Sequence, residues 1–214
     1  MKTYVTILFF LCAAPAMAQF SAGEGFIGGG FSYFAPLTKA DTSSTFAIYV
    51  EYFQFTAANK AWGIRAGYGA TQQQFISTGP ASATLLSTNK PYFVAPNLQR
   101  FFPIVGRFGV LAGLEAVFSY QKGQSLQAVG QGQAPLVLNN TQFGLNLNLF
   151  TGAYFRAADR LLLRLNIGAA GLARIAHNSQ KYEQYDIKQN TLSYGISPNY
   201  SIAGSSLSVF YRLK

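Results

Sequence analysis

The sequence is poor in cysteine and in charged residues, and it has no long hydrophobic run after its first segment. The single cysteine, Cys12, lies near the N-terminus, so the rest of the chain has no disulfide, no thiol nucleophile and no thiolate metal ligand. Charged residues are 11% of the 214 residues. Beyond residue 18, no apolar run approaches the roughly 20 residues that a membrane-spanning helix needs.

The N-terminal segment has the pattern of a secretory signal peptide. Lys2 gives a positive start, residues 5–14 are apolar, and Ala16-Met17-Ala18 is a small-x-small cleavage site. We therefore expect a signal peptide at 1–18 and one mature domain at 19–214. An N-terminal anchor helix is the alternative, but the apolar run is too short for it.

The charge balance is basic, with 16 Lys and Arg against 7 Asp and Glu. These cations are scattered and form no stripe of the kind that nucleic-acid binding requires, so no nucleic-acid partner is expected. The chain is also 50% hydrophobic and 15% aromatic, with 21 glycines. A half-apolar, aromatic- and glycine-rich chain without a helical span suits a membrane-embedded β-barrel better than a soluble sandwich.

Residues 141–174 show period-2 alternation, which is typical of β-strands because successive side chains point to opposite faces. One face of the first strand has Phe143, Leu145, Leu147 and Leu149, and the other has Asn and Gly. The second strand repeats the pattern after a break at 157–160. Long strands with one apolar and one neutral-polar face predict an antiparallel transmembrane β-barrel.

The whole chain follows this plan. Further strands are predicted at 25–34, 45–55, 61–75, 90–102 and 107–121, with tight turns at 56–60, 103–106 and 157–160. Long polar loops are predicted at 35–44, 77–89, 122–140 and 177–190. Long loops on one side and tight turns on the other are the outer-membrane arrangement. Eight strands result if 191–214 is one strand.

Two places in this plan are irregular. Within 191–214 the apolar residues change from even to odd positions, which requires a bulge or a turn near Gly204-Ser205-Ser206. A bulge gives one long eighth strand, and a turn gives more strands. Pro96 removes a ladder donor, so a bulge or local distortion is expected there.

The apolar faces are predicted to contact lipid, with aromatic residues at the two membrane interfaces. The predicted lipid-facing residues are Ile48, Val50, Ile64, Val110, Leu114, Leu145, Leu147, Leu163, Leu165 and Val209. The predicted interface aromatics are Trp62, Tyr92, Phe108, Phe155 and Tyr211.

The opposite faces carry charged residues that would lie inside the barrel, among them Glu51, Arg65, Glu115 and Arg164, with Arg107, Arg174 and Arg212. If the first tight turn is centred on Ala58, Glu51 and Arg65 are direct cross-strand neighbours. Buried charges are paired, so we expect a Glu51–Arg65 ion pair with Glu115 and Arg164 nearby. A charged permeation path or a catalytic carboxylate pair is the alternative, and an eight-stranded barrel is too narrow for an open pore.

The single histidine, His177, stands two residues before Ser179. This His-x-Ser pair resembles that of the outer-membrane lipid A deacylases, with Glu183 or Asp186 to orient the histidine. The flanking Ala176 and Gln180-Lys181 do not reproduce that motif, so no catalytic residue is assigned and an enzyme is the least favoured hypothesis. No metal cluster or phosphate-binding loop is visible, and no metal or cofactor is expected.

The mature chain resembles the small porin-family outer-membrane barrels, the OmpA/OmpX-like β-barrel domain. The resemblance lies in PYFVAPNLQRFFPIVGRFGVLAGLEA, FGLNLNLFTGAYFRAADRLLLRLNIGAAG and the terminal SSLSVFYRLK, which ends on Lys214 where many such proteins end on an aromatic residue. It implies export to the outer membrane of a Gram-negative bacterium, contact with outer-membrane lipid and lipopolysaccharide, and insertion by the barrel-assembly machinery.

Three functions remain open at this point. The first is a structural or surface-interaction role, with a possible protein partner at the extracellular loops. The second is a small channel or a component of a secretion or uptake complex. The third is the lipid A-modifying enzyme.

Overall fold

The computed structural model describes residues 20–34, 41–76, 84–127, 136–183, 187–196, 199–201 and 205–213, and these residues are almost entirely β-strand. The predicted signal peptide lies outside them, as do 35–40, 77–83, 128–135 and 184–186 of the predicted loops. Within the described residues, no helix is long and apolar enough to span a membrane. The strands are β1 Gly25–Phe34, β2 Asp41–Ala57, β3 Lys60–Ile76, β4 Thr84–Val105, β5 Phe108–Gln127, β6 Leu136–Ala158, β7 Leu161–Tyr182, β8 Ile187–Gly195, β9 Asn199–Ser201 and β10 Ser206–Arg212.

The strands form a closed antiparallel ring. Each strand from β1 to β8 pairs with the next in sequence order, and β10 pairs both with β7 and with β1. Tyr211 lies opposite Leu161 on one side and opposite Ile27 on the other. Because the ring is closed, the described strands leave no unpaired sheet edge in the membrane-crossing part. A sheet in lipid requires this, since its backbone N–H and C=O groups cannot bond to water there. The predicted up-and-down barrel is confirmed.

The last three strands are pieces of one interrupted eighth strand. Along β7, β8 covers Tyr182 to Arg174, β9 covers Gly171 to Ala169, and β10 covers Asn166 to Leu161. The two alternatives for 191–214 are therefore decided in favour of a single irregular strand. Between the pairs Ser201–Ala169 and Ser206–Asn166, the chain advances five residues on the eighth strand and three on β7. Gly204, in the predicted position of the irregularity, lies outside the described residues.

The wall alternates between exposed and buried side chains. Of the ten predicted lipid-facing residues, eight are exposed, and Val110 and Leu163 are half-buried. The five predicted interface aromatics are all exposed on the same outer surface. Their contact with lipid stays a prediction.

Two bands of exterior aromatics mark the span. One includes Tyr92, whose ring is 5.0 Å from that of Tyr68, and the other includes Trp62, Phe108 and Phe155 near the tight turns. Ten residues separate Tyr92 from Phe102 on β4, which matches the roughly 9–11 residues that cross a bilayer.

The strands extend further than the sequence pattern predicts. β4 to β7 contain 20–23 residues each, about twice the length that crosses a bilayer. Segments 41–44, 84–89, 122–127, 136–140, 177–182 and 187–190 were predicted as loops and are strand. Polar composition predicts exposure to water, but here the backbone continues the ladders beyond the membrane.

Pro96 produces a local distortion rather than a bulge. β4 pairs with β5 at Val94–Phe118 and again at Asn97–Glu115 in unchanged register, with no pairing at Ala95 and Pro96 between them. The missing proline N–H accounts for the gap, since a ladder bond needs that donor.

Candidate functional site

The end of the bore where the tight turns lie, which the outer-membrane arrangement places at the periplasm, is filled by a cluster that we call the aromatic plug. Its members are Phe20, Phe26, Phe53, Phe55, Ala61, Phe101, Leu111, Phe150, Tyr154, Leu162 and Phe210. Phe20 is fully buried at its centre, with its ring stacked on that of Phe55 at 4.5 Å and in an edge-to-face contact with that of Phe101 at 5.2 Å. The plug is a hydrophobic core inside a barrel that also presents an apolar exterior.

Phe20 is held in place by the first tight turn. Its backbone N–H donates to Asn59 Oδ1 over 3.3 Å, and the backbone N–H of Asn59 donates back to the Phe20 carbonyl over 3.3 Å. Asn59 has φ 58°, a left-handed conformation that asparagine tolerates in turns. The sequence analysis missed Phe20, because a single apolar residue before the first strand carries no periodic signal.

Above the plug lies a layer of buried and half-buried polar side chains, which we call the polar belt. Its members are Tyr49, Glu51, Arg65, Asn97, Gln99, Glu115, Asn148, Arg164, Asn166, Ser206 and Ser208. Glu51 and Arg164 are each 1% exposed and form an ion pair across the bore. Gln99 extends this pair, since its amide donates to Glu51 over 2.7 Å and accepts from Arg164 over 3.0 Å.

The charged residues pair differently from the prediction. The register does place Glu51 directly opposite Arg65, but Glu51 pairs with Arg164 of β7, and Arg65 pairs with Glu115 of β5. The predicted direct Glu51–Arg65 ion pair is therefore wrong. In a narrow closed barrel, long side chains from non-adjacent strands meet across the bore. The register of a single hairpin predicts only the contacts between its own two strands.

The second ion pair and a hydroxyl cluster complete the belt. Glu115 also accepts from the Asn148 amide over 3.1 Å, and the Arg65 guanidinium lies 5.0 Å from the Tyr49 ring centre. The Tyr49 hydroxyl bonds Ser206 over 3.0 Å and also contacts Ser208. Each carboxylate oxygen of Glu51 and Glu115 therefore accepts at least one hydrogen bond, as buried polar groups do in native proteins.

Arg164 joins the two layers. Its guanidinium lies 4.6 Å from the Phe210 ring centre and 5.9 Å from that of Phe53, while its N–H groups bond Glu51 and Gln99. Gly30 makes room for the belt: a Cβ there would lie 2.6 Å from Ser208 Oγ and 2.7 Å from the Tyr49 hydroxyl. Together the two layers fill the bore with packed side chains.

Three other arginines were predicted to face the interior. Arg107 lies exposed in the second tight turn and donates to the Ala157 carbonyl over 3.1 Å, which corrects that prediction. Arg212 is 3.4 Å from Glu24 near the periplasmic end. Arg174 lies opposite Asn146 and lines a cleft of about 530 Å³ in the extracellular half, beside Asn148 and Gly195, where the eighth strand is interrupted.

His177 does not form with Glu183 the catalytic arrangement that the resemblance to lipid A deacylases would imply. His177 is exposed on the outer wall of β7, between Phe143 of β6 and Leu192 of β8. Glu183 lies six residues further along, roughly 20 Å at the rise of a strand, and accepts a hydrogen bond from Asn139 over 2.6 Å. Asp186 lies outside the described residues. In the part of the chain that the structure describes, no three His, Cys, Asp or Glu side chains form a metal-binding group.

Comparison with known proteins agrees with this architecture. No family model matches the chain, and no sequence among the curated proteins does. The outer membrane protein OprG from Pseudomonas aeruginosa is similar in structure, with a TM-score of 0.57, 13% identity, and coverage of 90% of this chain and 97% of OprG. The chain has the fold of an outer-membrane β-barrel protein.

A major outer membrane protein from Thermus thermophilus is similar as well, with a TM-score of 0.50, 12% identity, and coverage of 89% of this chain and 99% of that one. The predicted resemblance to small outer-membrane barrels is confirmed at the level of the fold. A closed ring with an apolar exterior is the form in which a β-sheet can span a membrane.

Proposed function

We propose that this protein is a closed, non-enzymatic outer-membrane barrel whose role is structural and surface-interacting. The observation that carries the proposal is the filled bore: the aromatic plug and the polar belt occupy its half nearer the tight turns with buried side chains. A path for hydrated solutes would need these layers to separate, and the belt is cross-linked by the Glu51–Arg164 and Arg65–Glu115 pairs.

The surface that would carry the interaction is the extension of β4 to β7 beyond the outer aromatic band. On β4 this is 84–91, on β5 121–127, and on β6 136–142. The extension is rich in Asn, Gln, Thr and Lys, and its backbone is ordered by the ladders. It presents a rigid polar rim, on which protein partners could bind through the rim and its connecting loops.

Planar-bilayer recording tests the closed bore. Protein refolded from the mature chain should give no current above background at any voltage that the bilayer tolerates. Stepwise, voltage-independent conductance would contradict the proposal and support the channel. Co-purification from outer membranes after cross-linking would then identify which proteins contact the rim.

The channel is the second candidate, because the extracellular half contains the cleft beside Arg174. Its floor is the polar belt, since Asn148 lines the cleft and also donates to Glu115. A cleft that ends on a packed layer suits binding of a small polar solute better than its passage.

The absence of enzyme activity is part of the proposal. The His177–Ser179 pair has no carboxylate partner among the described residues that could orient the imidazole. Lipid A from cells that express the protein should have unchanged acyl chains by mass spectrometry. Loss of an acyl chain that depends on His177 would contradict this.

A further inference from the structure

The outer wall of the barrel has two adjoining features near the extracellular rim. The first is an apolar groove of about 550 Å³ on the lipid-facing surface of β4 to β7. Its lining includes Tyr92, Val94, Phe118, Phe143, Leu145 and Ile175. These side chains are all exposed, so the groove is open on the side where lipid lies.

The second feature is a polar cleft of about 510 Å³ directly above the groove, lined by Thr88, Lys90, Lys122, Gln124, Asn139 and Thr141 among others. The two features share their strands. Lys90 stands two residues from Tyr92 on β4, Lys122 two residues from Tyr120 on β5, and Thr141 two residues from Phe143 on β6. Two residues along a strand keep the same face and advance about 7 Å.

Lys90 and Lys122 lie directly opposite each other. Like charges in this position destabilise a sheet unless an anion lies near them. None of the ion pairs among the described residues includes either lysine.

We propose that this amphipathic groove binds a lipid of the outer leaflet that has a phosphorylated headgroup. A phosphate lies between Lys90 and Lys122, within reach of the Thr88 and Thr141 hydroxyls, and an acyl chain lies along Val94, Phe118 and Leu145. The inference rests on the proposed place of the protein in an outer membrane. The positive charge of the cleft suits a phosphate group. The apolar groove, two residues below the cleft, suits an acyl chain attached to the same headgroup.

The ligand chemistry can be tested with bis-phosphorylated lipid A as the probe. Mature protein refolded in detergent micelles is titrated with lipid A, and bound lipid is counted by native mass spectrometry. The Lys90→Gln/Lys122→Gln variant should bind lipid A roughly tenfold more weakly or worse, since each basic residue near a lipid surface contributes to binding. Lipid A from which both phosphates have been removed should bind the wild type as weakly as intact lipid A binds the variant.

The chain offers a matched control at the other end of the barrel. Lys60 and Arg100 are also directly opposite, exposed cations on neighbouring strands. Lys60→Gln/Arg100→Gln removes the same charge and should leave lipid A binding unchanged. Lys90→Arg/Lys122→Arg keeps the charge and should retain it, which separates loss of the site from loss of the fold.

Equal binding by the wild type and the Lys90/Lys122 variant would overturn the proposal, as would equal losses in both double glutamine variants. Complete competition by millimolar inorganic phosphate would also overturn it, because the site would then be one for free phosphate and not for a lipid. These outcomes are independent of bilayer conductance, so the site can fail while the closed bore stands.

Discussion

The two ends of the barrel are built in different ways. The periplasmic end is filled with packed side chains, among which Phe20, Phe26, Phe53 and Phe210 are fully buried. In the polar belt above them, opposite charges form ion pairs across the bore. At the extracellular end every residue of β8 is exposed.

The contrast predicts that stability is concentrated toward the tight turns, whereas the proposed binding surfaces lie at the other end. Local stability follows buried contacts and protected hydrogen bonds, which are concentrated toward the tight turns. We therefore expect the extracellular end to tolerate substitution better than the end at the tight turns.

Arg164→Met should be the most damaging single substitution. It leaves Glu51 buried without its partner, and breaking a buried ion pair costs about 3–5 kcal/mol. Urea unfolding of the protein refolded into lipid vesicles measures the change. Glu51→Gln/Arg164→Met removes both charges and should recover a large part of the loss. A double variant no more stable than the single one would show that the pair itself is not the cause.

Phe20→Ala should cost about 3 kcal/mol, because it opens a cavity among Phe55, Phe101 and Tyr154. It should still give no current in planar bilayers, since the polar belt remains closed above the cavity. The same unfolding assay applies, with Phe31→Ala as the control on the outer wall, where Phe31 is 54% exposed. Equal losses in the two variants would contradict a plug centred on Phe20.

Gly30→Ala should cost about 1–3 kcal/mol by overpacking, because the new Cβ would meet Ser208 and Tyr49 in the belt. Gly195→Ala in β8 is the matched substitution at the extracellular end, where a Cβ would have no neighbour within 4 Å. It should be close to neutral. Thermal unfolding followed by the heat-dependent shift on a gel compares the two, and similar midpoints would refute the asymmetry.

The sequence was sufficient for the fold because each strand repeats the same physical constraint. Leu145 and Val209 stand on apolar faces that only a lipid-facing wall needs, and period 2 reveals them without tertiary information. Glu51 and Arg164 were identified as interior residues, but their pairing depends on which strands face each other across the closed bore. Which strands face each other is defined only when the ring is closed. Counting residues outward from Ala58 predicts the cross-strand neighbour Arg65, whereas the ion-pair partner of Glu51 is Arg164.

Other features had no periodic signal at all. Phe20 precedes the first strand, and only the turn at Asn59 fixes its position. The strand extensions were missed because composition was used to place the loops, whereas ladder bonding between polar residues such as Lys122 and Thr141 continues past the membrane. Composition predicts the solvent that a segment meets, and it does not predict where the strand ends.

The smallest effect is expected for Asn139→Ala. Asn139 donates to Glu183 on the exposed extracellular rim, and an exposed interaction of this kind contributes about 0.5 kcal/mol or less. Asn97 is the matched residue in the polar belt: it is 6% exposed and accepts from Gln99 over 2.7 Å. Asn97→Ala leaves a buried donor without its acceptor, which costs about 1–3 kcal/mol. Urea unfolding in vesicles should therefore separate the two asparagines clearly. If both substitutions cost the same, the belt is as solvated as the rim, and a closed bore could not be inferred from its packing.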